Sequence, residues 1–339
     1  MSVTVRVGVI GTGFGARVVA PAFDATDGCV VVDVVSARDA SAVRSLCSRD
    51  DVDVISVHSP PMLHAEHVGY AIDGGHAVVC DKPFGLDATQ ARAMAERAAA
   101  AGVIGLVNFE FRYDAGRRHV KALVDGGELG PCEHVSWTHI SSGSRVPLRS
   151  YGWLFDRASG GGWLGAWGSH ALDALVWWLG PLTVTAAELS TAIARRPDRE
   201  GVMRACDADD TVRVWLETAA GTTVAIDSTF AAPASTAPRI VIVGADAVAE
   251  VVADHRVVVT RADGTRTEWR APEADAGADP HLASMLAWAV AVRDAVRTGV
   301  IARGVPTFAD GVATAHVIDA IRAAPHPNLR QIPTVEVGN

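Results

Sequence analysis

The chain has no apolar run long enough to cross a bilayer; the longest patch, Ala171 to Leu182, is too short and carries Asp173 inside it. It has no long basic run either. Its formal net charge is −9 with both signs interleaved, which argues against the polyanionic backbone of a nucleic acid as partner. The five cysteines, Cys29, Cys47, Cys80, Cys132 and Cys206, are odd in number, widely spaced and without a C-x-x-C pair. They read as reduced, mostly buried thiols in a reducing compartment, Cys80 included. The first residues lead straight into a strand-like run, without the charged start, apolar stretch and cleavage site of a leader, so a cytoplasmic protein is expected. Spacing of the H-E-x-x-H kind is absent: His64, Glu66 and His67 form H-A-E-H, and no metal is expected.

What is present is apolar material for more than one core. With 339 residues, 49% hydrophobic and 20% charged, the chain is expected to fold as two domains. Continuous apolar strands alternate with helices up to about Arg112: strands at 3–10, 30–35, 52–57, 77–80 and 103–108, helices at 16–25 (with Pro21 an irregularity), 40–47, 64–73 and 88–101. That is the grammar of a parallel sheet covered on both faces. After a helix at 116–125, strands joined mostly by short turns take over, at 132–140, 184–192, 210–217, 222–230, 239–243, 248–252, 256–260 and 265–269. They predict an open, mostly antiparallel sheet in an α+β domain. A Gly-rich turn and helix at 160–180 interrupt it, helices at 280–298 and 308–323 close the chain, and 195–208 is expected to be a mobile loop.

Between the first strand and first helix stands Gly11-Thr12-Gly13-Phe14-Gly15-Ala16. In that context the first glycine makes the tight turn and the second admits a pyrophosphate to the backbone. A small third residue, Ala16, lets helix and strand pack closely. The second strand ends Val35-Ser36-Ala37-Arg38-Asp39, where Ser36 and Arg38 favour a 2′-phosphate, hence NADP(H) over NAD(H); pairing of Arg38 with Asp39 is the alternative.

Further motifs follow in order: Ser59-Pro60, Leu63-His64-Ala65-Glu66-His67, Asp81-Lys82-Pro83, Phe111-Arg112-Tyr113, and Gly160-Gly161-Gly162 leading to His170. Together they resemble the Gfo/Idh/MocA family over nearly the whole chain. The resemblance implies a doubly wound Rossmann domain at 1–112, a substrate-binding and oligomerisation α+β domain at 113–303, and a C-terminal helix and tail at 304–339 packing back on the body. It further implies an oxidoreductase that passes hydride between NAD(P) and a carbinol carbon of a sugar, sugar derivative or cyclitol, and a homo-oligomer, dimer or tetramer, built through the second sheet. By the same resemblance Lys82 touches the substrate hydroxyl and His170 is the acid/base, while Gly11 to Ala16, Ser36, Arg38, Ser59, Pro60, His64, Asp81 and Lys82 border the cofactor. Imidazole and ammonium suit those roles, since an alcohol losing hydride must also lose a proton.

Substrate contacts are expected from Lys82, Arg112, Tyr113, Trp153, Trp167, His170 and Asp173, with Trp163, Arg149 and Tyr151 in the same region. Two departures from the family stand out. Ala166 occupies the place of an aspartate four residues before the histidine, and Asp173 is a candidate substitute; only thirteen residues separate Arg38 from Val52, so one strand and its crossover are expected to be missing. The alternatives are a sensor that binds dinucleotide and sugar without turnover, and an enzyme that recycles a tightly held NAD during elimination or epimerisation.

Overall fold

The computed structural model describes residues 4–272, 279 and 281–324. The first part alternates strand and helix as the apolar runs require: β1 (Val5–Ile10), α1 (Ala20–Asp24), β2 (Cys29–Val35), α2 (Ala40–Cys47), β3 (Val54–Val57), α3 (His64–Asp73), β4 (Ala77–Cys80), α4 (Ala88–Ala101) and β5 (Gly105–Val107). The five strands pair in parallel in the order β2-β1-β3-β4-β5. The sheet ends at β2, because α2 returns the chain directly to β3 and no strand lies outside β2 among the described residues. Asp39 caps α2, accepting from the backbone of Ser41 and Ala42 at 3.1 and 3.0 Å. Gly8 in β1 lets α2 sit close: a side chain there would meet Leu46 at 2.9 Å.

After α5 (Ala115–Asp125) come β6 (Cys132–Ile140), α6 (Ser169–Leu179), β7 (Leu182–Ser190), β8 (Arg195–Pro197), β9 (Met203–Ala205) and β10 (Thr211–Thr218). The rest are β11 (Thr223–Thr229), β12 (Arg239–Gly244), β13 (Ala247–Val252), β14 (Arg256–Arg261), β15 (Arg266–Arg270), α7 (Leu282–Thr298) and α8 (Phe308–Ala323). Eight of these strands form an open sheet in the order β15-β14-β13-β12-β6-β11-β10-β7, antiparallel except where β11 runs parallel to β6. One face is packed on α5, α6 and α8 through Trp137, Trp167, Leu172, Trp178 and Ile318.

Two expectations change. Residues 195–208 form not a mobile loop but the two-stranded ribbon β8–β9, pinned by Arg196, whose guanidinium donates to the Ser144 carbonyl and hydroxyl and lies 3.9 Å from the Phe155 ring centre. Within 113–303, α7 packs on the first sheet, where Met285, Trp288 and Val292 join Val7, Val9 and Phe23 in one core. The expected helix start at Pro280 and the tail beyond Ala324 lie outside the described residues.

Candidate active site

The carboxyl ends of β1 and β3 flank the point where strand order reverses, and open parallel sheets bind ligands in the crevice at such a point. The glycine turn forms its floor. Gly11 has φ +135°, a conformation other residues rarely adopt, and a Cβ on it would strike the His58 carbonyl at 2.5 Å. A Cβ on Gly13 would meet nothing within 4 Å, so the backbone there opens on free space. The close approach of helix to strand falls to Gly15 rather than Ala16, its Cβ position lying 3.0 Å from Val9 and 3.1 Å from His58. A π-turn, Gly15–Val19, then leads into α1 and takes Pro21 into the helix's first turn.

After β3, His58 sets its Nε2 2.7 Å from the Ser56 hydroxyl and its Nδ1 3.2 Å from Asp81. His64 is buried with its two ring nitrogens 3.1 and 2.8 Å from the carbonyls of Pro83 and Ser59; it ties the loop after β3 to the loop after β4. His67 meets the Ser59 hydroxyl at 3.1 Å. These two imidazoles are therefore engaged within the protein. Asp81 also accepts from the Lys82 backbone and Asn108 at 3.1 and 3.2 Å. Burial pushes its carboxyl up, but His58 first and then Lys82 and His64 outweigh that and hold it at about 2.

Lys82 reaches across to the second domain and donates to the Ala166 carbonyl at 2.5 Å. Ala166 lies in a second π-turn, Leu164–Gly168, which runs into α6 and His170. His170 is 2% exposed, 4.5 Å from the Phe111 ring, and bounded on another side by Phe109. Burial, then Lys82, Arg117 and His281, lower its pKa well below that of a free imidazole. The residues not anticipated from sequence are His58, Asn108, Glu110 and His281. Glu110, 1% exposed, sits 2.8 Å from His281 Nδ1 and 3.8 Å from His170 Nε2. Asn108 Oδ1, Glu110 Oε2 and both ring nitrogens of His170 are buried with no hydrogen-bond partner among the described residues. Folded proteins satisfy nearly all such atoms, so a group of them left unpaired near the domain junction fits a polar ligand.

Several expected substrate contacts lie elsewhere. Arg112 is buried and donates to both oxygens of Asp173 at 2.8 and 2.6 Å and to Asp310 at 2.8 Å. Neither Arg112 nor Asp173 has a group left for a substrate, and Asp173 does not stand in for the absent aspartate beside His170. Tyr113 packs on Trp288, and burial raises its phenol to about 12. Trp167 and Trp163 stack on one another beneath the second sheet, and Trp163 donates to Ser228. Arg149 lies over the Phe230 ring. Trp153 is the exception, 38% exposed on its turn. At the other end, Arg38 is exposed and has no side-chain partner among the described residues, since Asp39 is engaged in capping α2.

Comparison with known proteins agrees with this layout. Among curated relatives, an uncharacterised oxidoreductase of Synechocystis sp. is 31% identical over 63% of this chain and 62% of its own length. Inositol 2-dehydrogenase 3 of Saccharopolyspora erythraea is 38% identical over 38% of this chain and 42% of its own. The matched part of the chain thus spans about two to three fifths of these relatives. A solved levoglucosan dehydrogenase, in complex with NADH and levoglucosan, superposes with a TM-score of 0.84 at 22% identity, covering 94% of this chain and 96% of that one, a likeness of fold. Residues 5–109 match the model of the oxidoreductase family's NAD-binding Rossmann fold. Residues 117–250 match the Gfo/Idh/MocA C-terminal domain. With both halves matched in order, the chain belongs to the Gfo/Idh/MocA oxidoreductase family.

Proposed function

We propose that the protein is an NAD(P)-dependent dehydrogenase or reductase acting on a CH–OH group of a sugar, sugar derivative or cyclitol. The observation that carries this reading is the crevice itself: an open glycine turn, a lysine fixed at the domain junction, and buried polar atoms on His170, Asn108 and Glu110 that lack partners. The bound nicotinamide would supply the hydride acceptor or donor. Gly11 to Ala16 hold the pyrophosphate, with Gly13 leaving room for it, and Ser59, Pro60, His64 and Asp81 shape the nicotinamide end. Lys82, steadied by the Ala166 carbonyl, stabilises charge on the substrate oxygen. His170, kept neutral by burial, takes the substrate proton in oxidation and returns it in reduction. Trp153 offers an aromatic face to a sugar ring.

NADP(H) is favoured over NAD(H). The tip of β2 carries Ser36 and an Arg38 side chain facing solvent, while Asp39 turns its Oδ1 to the start of α2. The functional division is 1–112, joined by α7, for the dinucleotide and the rest of 113–303 for substrate and assembly, with α8 closing on the body. A homo-oligomer would form through the outward face of the eight-stranded sheet, where Trp215 is exposed, and the five free thiols are compatible with the reducing cytoplasm expected from sequence. No described helix is long and apolar enough to cross a membrane.

The test is reduction of NADP or NAD by a panel of sugars, anhydrosugars and cyclitols. Lys82→Ala is expected to lower kcat about 10²–10³-fold with cofactor affinity kept. Unchanged turnover in that variant removes Lys82 from the mechanism.

A further inference from the structure

Ala166 stands four residues before His170, so the π-turn leading into α6 offers the imidazole no carboxylate of its own. We propose, on the functional reading above, that Glu110 is the positioning carboxylate of His170, held by His281, and that it fixes the imidazole as the Nε2–H tautomer, leaving Nδ1 to accept the substrate proton.

Glu110 opens the short turn Glu110–Tyr113 after β5, and His281 precedes α7. The two are 171 residues apart and meet at 2.8 Å, with His281 Nδ1–H donating to Oε1. The same oxygen lies 3.8 Å from His170 Nε2, too long for a hydrogen bond and close enough for a charge to act. The Phe111 ring is wedged between the imidazoles, stacked on His281 at 5.0 Å and tilted on His170 at 4.5 Å, which fixes both relative to the carboxylate.

The titratable and charged groups facing His170 are Lys82 after β4, Glu110 after β5, Arg117 on α5 and His281 before α7. Lys82 and Arg117 oppose a positive imidazole; Glu110 is the facing group of opposite sign. A proton on Nε2 directed at Glu110 is favoured over one on Nδ1, and the tautomer of an imidazole decides which nitrogen is the base. In the oxidation direction the substrate O–H breaks as the Nδ1–H forms, and hydride leaves the same carbon for the nicotinamide. The resulting imidazolium faces the Glu110 carboxylate. A structural reading, in which Glu110 only anchors His281, would leave His170 indifferent to its charge.

The experiment is heteronuclear NMR of the histidine rings in the full chain without substrate, for the native protein, Glu110→Gln and His281→Gln. The native spectrum is expected to show His170 as the Nε2–H form. Glu110→Gln should cut the share of that form strongly, and His281→Gln, which keeps the Glu110 charge and replaces the rigid ring donor by a flexible amide, should cut it less. An unchanged His170 tautomer in both variants overturns the proposal, as does a native His170 protonated on Nδ1. Where turnover is measurable, Glu110→Gln should move the acid limb of kcat down by about one pH unit with KM kept, because an opposite charge at this range raises an imidazole pKa by at least that much. An unmoved limb also overturns it. If no substrate is turned over, the functional reading fails while the tautomer result still decides the role of Glu110.

Discussion

At the residue scale, the side chains that read as site residues divide into those that reach the crevice and those consumed by folding. Lys82 and His170 flank one junction, whereas Arg112 and Asp173 form a buried ion pair extended to Asp310. Breaking such a pair leaves an uncompensated buried charge, so Asp173→Ala is expected to cost about 3–5 kcal/mol in a urea titration. A loss near zero would mean that the pair is solvated. The difference was not legible in the sequence, because the partners of Arg112 lie 61 and 198 residues away and only the fold joins them. Glu110 and His281 escaped for the same reason. Lys82 and His170 were legible because each stands in a local motif, Asp81-Lys82-Pro83 and the Gly-rich run before α6, whose backbone shape carries the side chain to its place.

At the scale of elements, the glycine turn separates fold from binding. Gly11→Ala puts a Cβ into the His58 carbonyl from a φ that alanine resists, and should lower stability by about 1–3 kcal/mol. Gly13→Ala has open space, so stability should be kept while NADP(H) affinity falls; titration of each variant with NADPH beside a thermal melt reads the two effects apart. Strands and helices of the first sheet were legible from their continuous apolar runs. The π-turns before α1 and α6 and the β8–β9 ribbon were not, since the first depend on one inserted residue and the second on a buried Arg196.

Helices α3 and α6 and strand β6 also carry a pH dependence. His170, His64 and His139 have folded-state pKa values lowered by burial, His139 to about 4. The unfolded chain binds protons that the folded one refuses, so their contribution is complete above about pH 6.5 and is lost as pH falls toward the folded values. Each costs roughly 1.4 kcal/mol per pH unit in that window. The urea midpoint should therefore fall between pH 7 and pH 5, and His139→Gln should reduce the slope. A midpoint that stays level would show these rings already charged in the fold.

At the scale of the whole molecule, the shortened sheet ends at β2, so the adenosine end of the crevice is bounded by one edge strand and the turn carrying Ser36 and Arg38. Arg38→Ala should weaken NADPH by about tenfold and leave NADH nearly unchanged, since an exposed arginine–phosphate contact is worth on the order of 1.5 kcal/mol. Equal loss for both cofactors would remove the preference. The central claim is that the crevice between the two sheets carries out hydride transfer on a polyhydroxylated substrate. It is tested most directly by following the absorbance of reduced nicotinamide while native protein and Lys82→Ala are mixed with NADP and the panel of sugars, anhydrosugars and cyclitols. The account predicts reduction with at least one of them, lost in Lys82→Ala at unchanged cofactor affinity. Cofactor binding with no absorbance change for any substrate in either direction would contradict it.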